Sequence, residues 1–186
     1  MQSRTATPAD AAAITTTIAL AFRDDPVWGP ALEAADGGTG HLEPFWRCFV
    51  EGAIPHGAVR LVDGPNGEAA TVAIWLPPDV PELTEKQEAE ADDLMRRTLT
   101  PDRFEAYRRL WERFEESHPH NRPNMYLSLL ATHPNHRGRG IGQELLAESL
   151  RAFDEHDIPA YLESRTPRTT TATSGRGSAR SAGSGR

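Results

Sequence analysis

Apolar residues recur at helical spacing in some parts of the chain and in short unbroken runs in others, and this sets an expected order of elements. Arg4-Thr5-Ala6-Thr7 is a short first strand, and Pro8-Ala9-Asp10 opens a helix to about Phe22 whose apolar positions are Ile14, Ile18, Leu20 and Phe22. Asp24-Asp25-Pro26 ends it, and Gly37-Gly38-Thr39-Gly40 marks a loop. A second helix from Glu43 to about Ile54 buries Phe45, Trp46, Phe49 and Val50. Val59-Arg60-Leu61-Val62 is a strand, Asp63 to Gly67 a turn, and Ala69 to Leu76 the partner strand. Residues 81–118 are polar and helical. Glu82 to about Thr98 is one helix; Pro101 sits in the first turn of another that runs to Glu116, with Leu110, Trp111 and Phe114 as its apolar stripe. The charge of this segment is a solvated face.

The period changes most sharply between Tyr126 and Leu150. Leu127, Leu129, Leu130 and Ala131 form a buried strand that Pro134 stops, and His136-Arg137-Gly138-Arg139-Gly140-Ile141-Gly142 is a glycine-rich turn. From Ile141 the apolar positions Leu145, Leu146, Leu150 and Phe153 fall at helical spacing. Strand, glycine turn and helix in that order make an anion site. The first N–H groups of a helix lack partners, the dipole adds positive charge there, and glycines let the backbone approach a phosphate. Arg137 and Arg139 bring guanidinium groups, whose geometry suits phosphate. No Lys-Ser/Thr follows the last glycine, which excludes a P-loop, and glycines at 138, 140 and 142 do not spell the dinucleotide fingerprint. After the helix, Pro159 precedes a last strand, Ala160 to Glu163.

Length and composition narrow the class. At 186 residues the chain suits one domain with a substantial core. The single Cys48 excludes an intrachain disulfide framework and fits a reducing cytoplasm; it is expected as a small buried thiol on an apolar helix face. The N-terminus shows no apolar signal region, and no apolar run reaches membrane-span length. The net charge of −7 conceals an asymmetry. Residues 1–164 hold 15 basic and all 27 acidic residues, a net of −12, which does not suit nucleic acid and favours amine substrates.

Arg137-Gly138-Arg139-Gly140-Ile141-Gly142, preceded by Leu130-Ala131-Thr132-x-Pro134, resembles the acyl-CoA-binding motif R/Q-x-x-G-x-G/A of the GNAT superfamily of N-acetyltransferases. The opening Arg-x-Ala-Thr strand, the Pro-Ala-Asp helix start and Ala-Phe-x-x-Asp-Pro resemble the same family. So does Ala73-Ile74-Trp75-Leu76-Pro77-Pro78, which is similar to a strand end of a subgroup that includes antibiotic-modifying members. The resemblance covers residues 1–164. It implies an α/β fold with a mixed sheet and acetyl-CoA as acetyl donor. The acceptor is then a primary amine of a small molecule, with no nucleic-acid or membrane partner, and the protein a monomer or homodimer. By the same resemblance the backbone of Leu130, Ala131 and Thr132 holds the pantetheine arm, and Arg137, Gly138, Arg139, Gly140, Ile141 and Gly142 hold the diphosphate. The first helix and the loop after it border the acceptor site.

No catalytic base is singled out. Glu51, Tyr126, Glu163 and the histidines are of the right kind, but each has a plainer role. His133 and His136 are expected on the surface of the phosphate turn, His156 at a helix end, and His118 and His120 in a helix-terminating loop. No residue set has metal-ligand spacing. The family's later elements, an Asn and then a helix with Tyr-Glu-Arg-x-Gly-Phe whose Tyr often protonates the thiolate, do not follow Glu163. Residues 165–186 contain only Thr, Ser, Gly, Ala, Pro and Arg, the composition of a disordered tail. Translated one frame away, from the third base of the Arg165 codon, the same stretch permits Asn-Pro-x-Asn-Asn-Asp-Arg-Tyr-Glu-Arg-x-Gly-Phe. The expectation is therefore a frame-shifted, C-terminally incomplete GNAT domain, with the alternative that the chain binds acyl-CoA but turns it over poorly or not at all.

Overall fold

The computed structural model describes residues 2–117 and 123–162. Five strands form one sheet in sequence order: β1 (Arg4–Thr5), β2 (Val59–Asp63), β3 (Ala69–Leu76), β4 (Met125–Thr132) and β5 (Ala160–Tyr161). Neighbours are antiparallel except β4 and β5, which run parallel and are joined through α6 (Ile141–Asp154). The other helices are α1 (Ala11–Phe22), α2 (Trp28–Ala31), α3 (Leu42–Ala53), α4 (Glu85–Thr98) and α5 (Pro101–Ser117). This is the mixed α/β architecture expected from the sequence.

All eight residues of β3 are buried, as an unbroken apolar run packed on both faces demands. One face meets α1, α3, α4 and α5 through Ile14, Ile18, Phe45, Val50, Val72 and Ile74, among others. The other meets α6 through Ala73, Trp75, Leu145 and Leu146, with the Trp75 ring edge-on to Phe153 at 4.9 Å. An aromatic cluster locks the helical layer. Trp28 lies 5.3 Å from both Trp46 and Trp111, and Phe49 stacks on Trp111 at 5.5 Å.

Local chemistry adjusts several expected boundaries. The first strand stops at Thr5, because Thr7 turns to cap the 3₁₀ turn Pro8–Asp10 in a reciprocal arrangement with Asp10. Arg4 grips Asp10 with both nitrogens of its fork, at 2.7 and 2.9 Å, and also bonds Asp63 on β2. That guanidinium holds the Asp10 carboxyl well below the usual carboxylate range. Thr84 forms a capping box with Gln87, so α4 begins at Glu85 rather than Glu82. Four-residue α2 was not expected. Cys48 is half-buried, not sealed in the core; its thiol leans on the Pro44 carbonyl at 3.6 Å, and burial raises its pKa. Among the described residues, no helix is long and apolar enough to cross a membrane, and no cluster of side chains could hold a metal ion.

Candidate active site

Strand β4 has two unlike edges. Along one it pairs with β3 from Tyr126 to Thr132; along the other it meets β5 at only two positions, Met125 opposite Ala160 and Tyr126 opposite Tyr161. Among the described residues, which end at 162, 127–132 have no partner strand on that side. The register with β3 also slips, with Leu129 opposite Ile74 but Leu127 opposite Trp75, which leaves Ser128 as an extra residue in a β-bulge. The expected arm-holding residues Leu130, Ala131 and Thr132 thus lie on the part of β4 that no described strand pairs on that side.

The edge runs directly into the glycine turn. His133 N–H still bonds the Ala70 carbonyl at 3.0 Å; a 3₁₀ turn over Pro134–His136 follows, and then residues 137–140. Gly138 and Gly140 both have φ of +75°, a conformation side-chain-bearing residues disfavour, and a Cβ on either would meet nothing within 4 Å. Gly142 is glycine for a different reason. A Cβ there would lie 2.8 Å from Thr132 Oγ1, so its hydrogen lets α6 seat against β4. The first α-helical bond of α6 runs from Glu144 N–H to the Gly140 carbonyl. The N–H groups of Ile141, Gly142 and Gln143 therefore have no helical acceptor and face the space left by the two open glycines. Open strand edge, glycine turn and helix N-terminus form one continuous strip. Free donors, added dipole and room without Cβ atoms fit a diphosphate.

The two arginines of the turn differ in what they do here. Arg139 is exposed and makes no hydrogen bond or ion pair among the described residues, whereas Arg137 Nη2 donates to the Ala21 carbonyl at 2.9 Å and ties the turn to the end of α1. His136 is not on the loop surface as expected. It is buried, and its Nε2–H donates to Glu68 Oε1 at 2.7 Å, while Glu68 Oε2 accepts from Asn66 N–H. Glu68 lies in the β2–β3 hairpin, so this pair fastens the turn to the hairpin, and the bond to His136 lowers the Glu68 pKa. His133 is half-buried, its Nδ1 accepting from Asn135 N–H; exposed His156 bonds the Ala152 carbonyl.

The remaining candidates are dispersed. Glu51 lines a cleft between α3 and α4 with Cys48, Gln87 and Glu90, away from the β4–α6 strip. Tyr126 stacks on Tyr161 at 6.0 Å, its pairing partner on β5. His118, His120, Glu163 and the 165–186 tail lie outside the described residues. One histidine the sequence reading passed over is His41. It is 9 % exposed and lines a cavity of about 90 Å³ between the end of α1, α2 and the loop before α3, beside Phe22, Trp28 and Leu42.

The architecture is the fold of solved GNAT acetyltransferases. The model of the acetyltransferase (GNAT) family matches residues 89–173, a span holding β4, the glycine turn and α6. A structure of the histone acetyltransferase HPA2 and related acetyltransferase from Corynebacterium glutamicum superposes with a TM-score of 0.63 at 23% identity, covering 90% of this chain and 78% of that one. Arylalkylamine N-acetyltransferase 2 from Aedes aegypti gives 0.57 at 13% identity over 84% and 72% of the two chains. The polyamine N-acetyltransferase of Drosophila melanogaster gives 0.54 at 14% over 89% and 76%. No curated protein matches the chain significantly. The family match spans fewer than half of the 186 residues, and the likeness to these structures is one of fold.

Proposed function

We propose that the chain is an N-acetyltransferase that moves an acetyl group from acetyl-CoA to the primary amine of a small molecule. The observation that carries this reading is the edge of β4, unpaired from 127 to 132 among the described residues, running into the glycine turn and the N-terminus of α6. An amide-bearing pantetheine arm can pair with such an edge as an added strand, through Leu130, Ala131 and Thr132. The N–H groups of Ile141 and Gly142, the bare backbone at Gly138 and Gly140, and the Arg139 guanidinium then take the diphosphate. Arg137 fixes the turn through α1 and leaves the fuller phosphate charge to Arg139. The bulge leaves Ser128 without a register partner on β3, and a backbone N–H of this stretch of β4 would serve as the donor that polarises the thioester carbonyl. The amine nitrogen attacks that carbonyl, the carbon–sulfur bond breaks, and the amine's proton leaves as CoA thiol and amide form. Holding the two reactants together supplies much of the rate.

The N-acetyltransferase neighbours and the acidic body support a small amine as acceptor. A cytoplasmic location and a monomeric or homodimeric state belong to the same proposal. So does the division into a GNAT domain over residues 1–164 and a frame-shifted tail over 165–186, whose restricted composition favours a second reading: acyl-CoA binding with impaired turnover. Thermal unfolding with and without CoA, and thiol release from acetyl-CoA across an amine panel, separate the readings. A CoA-induced shift with release supports the enzyme. A shift without release from any amine leaves the binding protein, and a cooperative transition that CoA does not move refutes both.

A further inference from the structure

The glycine turn is tied to the rest of the molecule by the side chains of two adjacent residues. Among the described residues, the side-chain bonds from the turn to other elements are His136 Nε2 to Glu68 Oε1 at 2.7 Å and Arg137 Nη2 to the Ala21 carbonyl at 2.9 Å. One leads to the β2–β3 hairpin, the other to the end of α1. The His136 bond is the sheltered one, since the residue is buried and the Glu68 side chain is 19 % exposed. Shelter from water strengthens a charge-assisted bond of this kind. A carboxylate only accepts, so the ring proton sits on Nε2.

The hairpin is shaped to present that carboxylate. Glu68 Oε2 accepts from Asn66 N–H at 3.0 Å, and the Glu68 carbonyl accepts from Gly64 N–H at 2.8 Å, which closes the loop. The side chain folds back over Gly64, where a Cβ would lie 2.5 Å from both Cδ and Oε1 of Glu68. Gly64 thus leaves room for the oxygen that His136 bonds. Two residues beyond His136 the turn reaches Gly138, and then Gly140, where the backbone is least restricted. The N–H groups of the turn and of α6 meet a diphosphate together only in one conformation. Every other conformer lowers the binding-competent fraction and raises the apparent Kd in proportion. A buried anchor just before the glycines limits those conformers.

We propose that Glu68 and His136 are positioning residues for the acyl donor, their hydrogen bond keeping the glycine turn in the conformation that takes the diphosphate. This rests on the acetyltransferase reading above. The test is calorimetric titration with CoA of wild type and four variants, each well below its own melting temperature. Glu68→Ala removes the bond, and Glu68→Gln keeps an amide that bonds the ring. Gly64→Ala leaves Glu68 in the chain but pushes its carboxylate off His136 with a methyl group. Met95→Ala empties a fully buried position on α4 and destabilises the fold through the helical layer instead. Glu68→Ala and Gly64→Ala should each weaken CoA about tenfold, as the competent fraction falls to about a tenth. Glu68→Gln should stay within about threefold of wild type, since it retains one hydrogen bond. Met95→Ala should bind CoA as wild type does while melting lower. Wild-type affinity in Glu68→Ala, an equal loss in Glu68→Gln, or as large a loss in Met95→Ala overturns the inference and leaves the acetyltransferase reading standing. Should Glu68→Ala fail to fold, Gly64→Ala decides alone. A folded wild-type protein that binds no CoA overturns that reading, and this inference with it.

Discussion

Three glycines of one turn are glycine for two different reasons, and substitution should separate them. Gly140 has φ of +75° and open space where a Cβ would project. In Gly140→Val the added Cβ meets no protein atom, and the fold loses chiefly the cost of a left-handed conformation, about 1–2 kcal/mol. At roughly 2–4 °C per kcal/mol for a chain of this size, the apo melting temperature falls by roughly 2–8 °C. The space it fills is the one assigned to the diphosphate. Saturating CoA at about 100 times its Kd adds about 2.7 kcal/mol to wild type, a rise of roughly 5–11 °C. Gly140→Val should remove that rise, and Arg139→Ala should only reduce it. Gly142→Ala perturbs the opposite side, where the methyl group presses on Thr132 Oγ1 at 2.8 Å. Overpacking of that kind costs about 1–3 kcal/mol, partly offset by alanine's better helix propensity. Thr132→Ala in the same chain should restore stability, because Thr71 keeps its bond to the Ala131 carbonyl. Differential scanning fluorimetry of these variants with and without CoA reads all of it. A Gly140→Val protein that keeps its CoA shift refutes a backbone-built diphosphate site, as would equal losses from Gly140→Val and Arg139→Ala.

Three further outcomes follow from the same geometry. Glu68 has a folded pKa lowered by its bond to His136, so the stability it contributes is present above its unfolded pKa near 4.5 and is lost as pH falls through the lower folded value. Urea unfolding between pH 3 and 7 should show a shallower acid-side loss in Glu68→Gln; an unchanged slope sinks the assignment. Leu145 is fully buried between α6 and β3, so Leu145→Ala should cost about 2–5 kcal/mol in urea unfolding, and a loss under about 1 kcal/mol would show that α6 does not pack as described. The gene should hold an open alternative frame encoding Tyr-Glu-Arg near codon 173, and a protein made in that frame should gain stability and thiol release. A closed frame disproves the shift.

What the sequence disclosed, and what it withheld, follows from the distance over which each feature is determined. Helices α1, α3, α5 and α6 and strands β2 to β4 announce themselves by period, and the strand–glycine–helix order is local, so the strip was legible residue by residue. The misplacement of His136 has another origin. Its neighbours Pro134, Asn135, Arg137 and Gly138 are all loop residues, but its burial comes from Glu68, 68 positions away. His41 gave no signal for the same reason, because the Leu32 carbonyl that it bonds is identified only once the chain is folded. Ser128 is the instructive middle case. Leu127 and Leu130 pack on the α6 side of the sheet, whereas Leu129 and Ala131 face the other core. Two residues three apart cannot share a face in a regular strand, where faces alternate with period two. The extra residue between them must be a bulge, and Ser128 is the one polar residue from Leu127 through Ala131. The pattern was therefore present in the sequence, but an apolar run buried on both faces hides its own parity. Only the partner strand, with Trp75 opposite Leu127 and Ile74 opposite Leu129, exposes the count, and it does so two residues beyond the last pairing of β4 with β5. A bulge steepens strand twist. The slip lies two residues before the stretch Leu130 to Thr132 assigned to the acyl donor, so the face that each of those residues presents depends on this single extra residue.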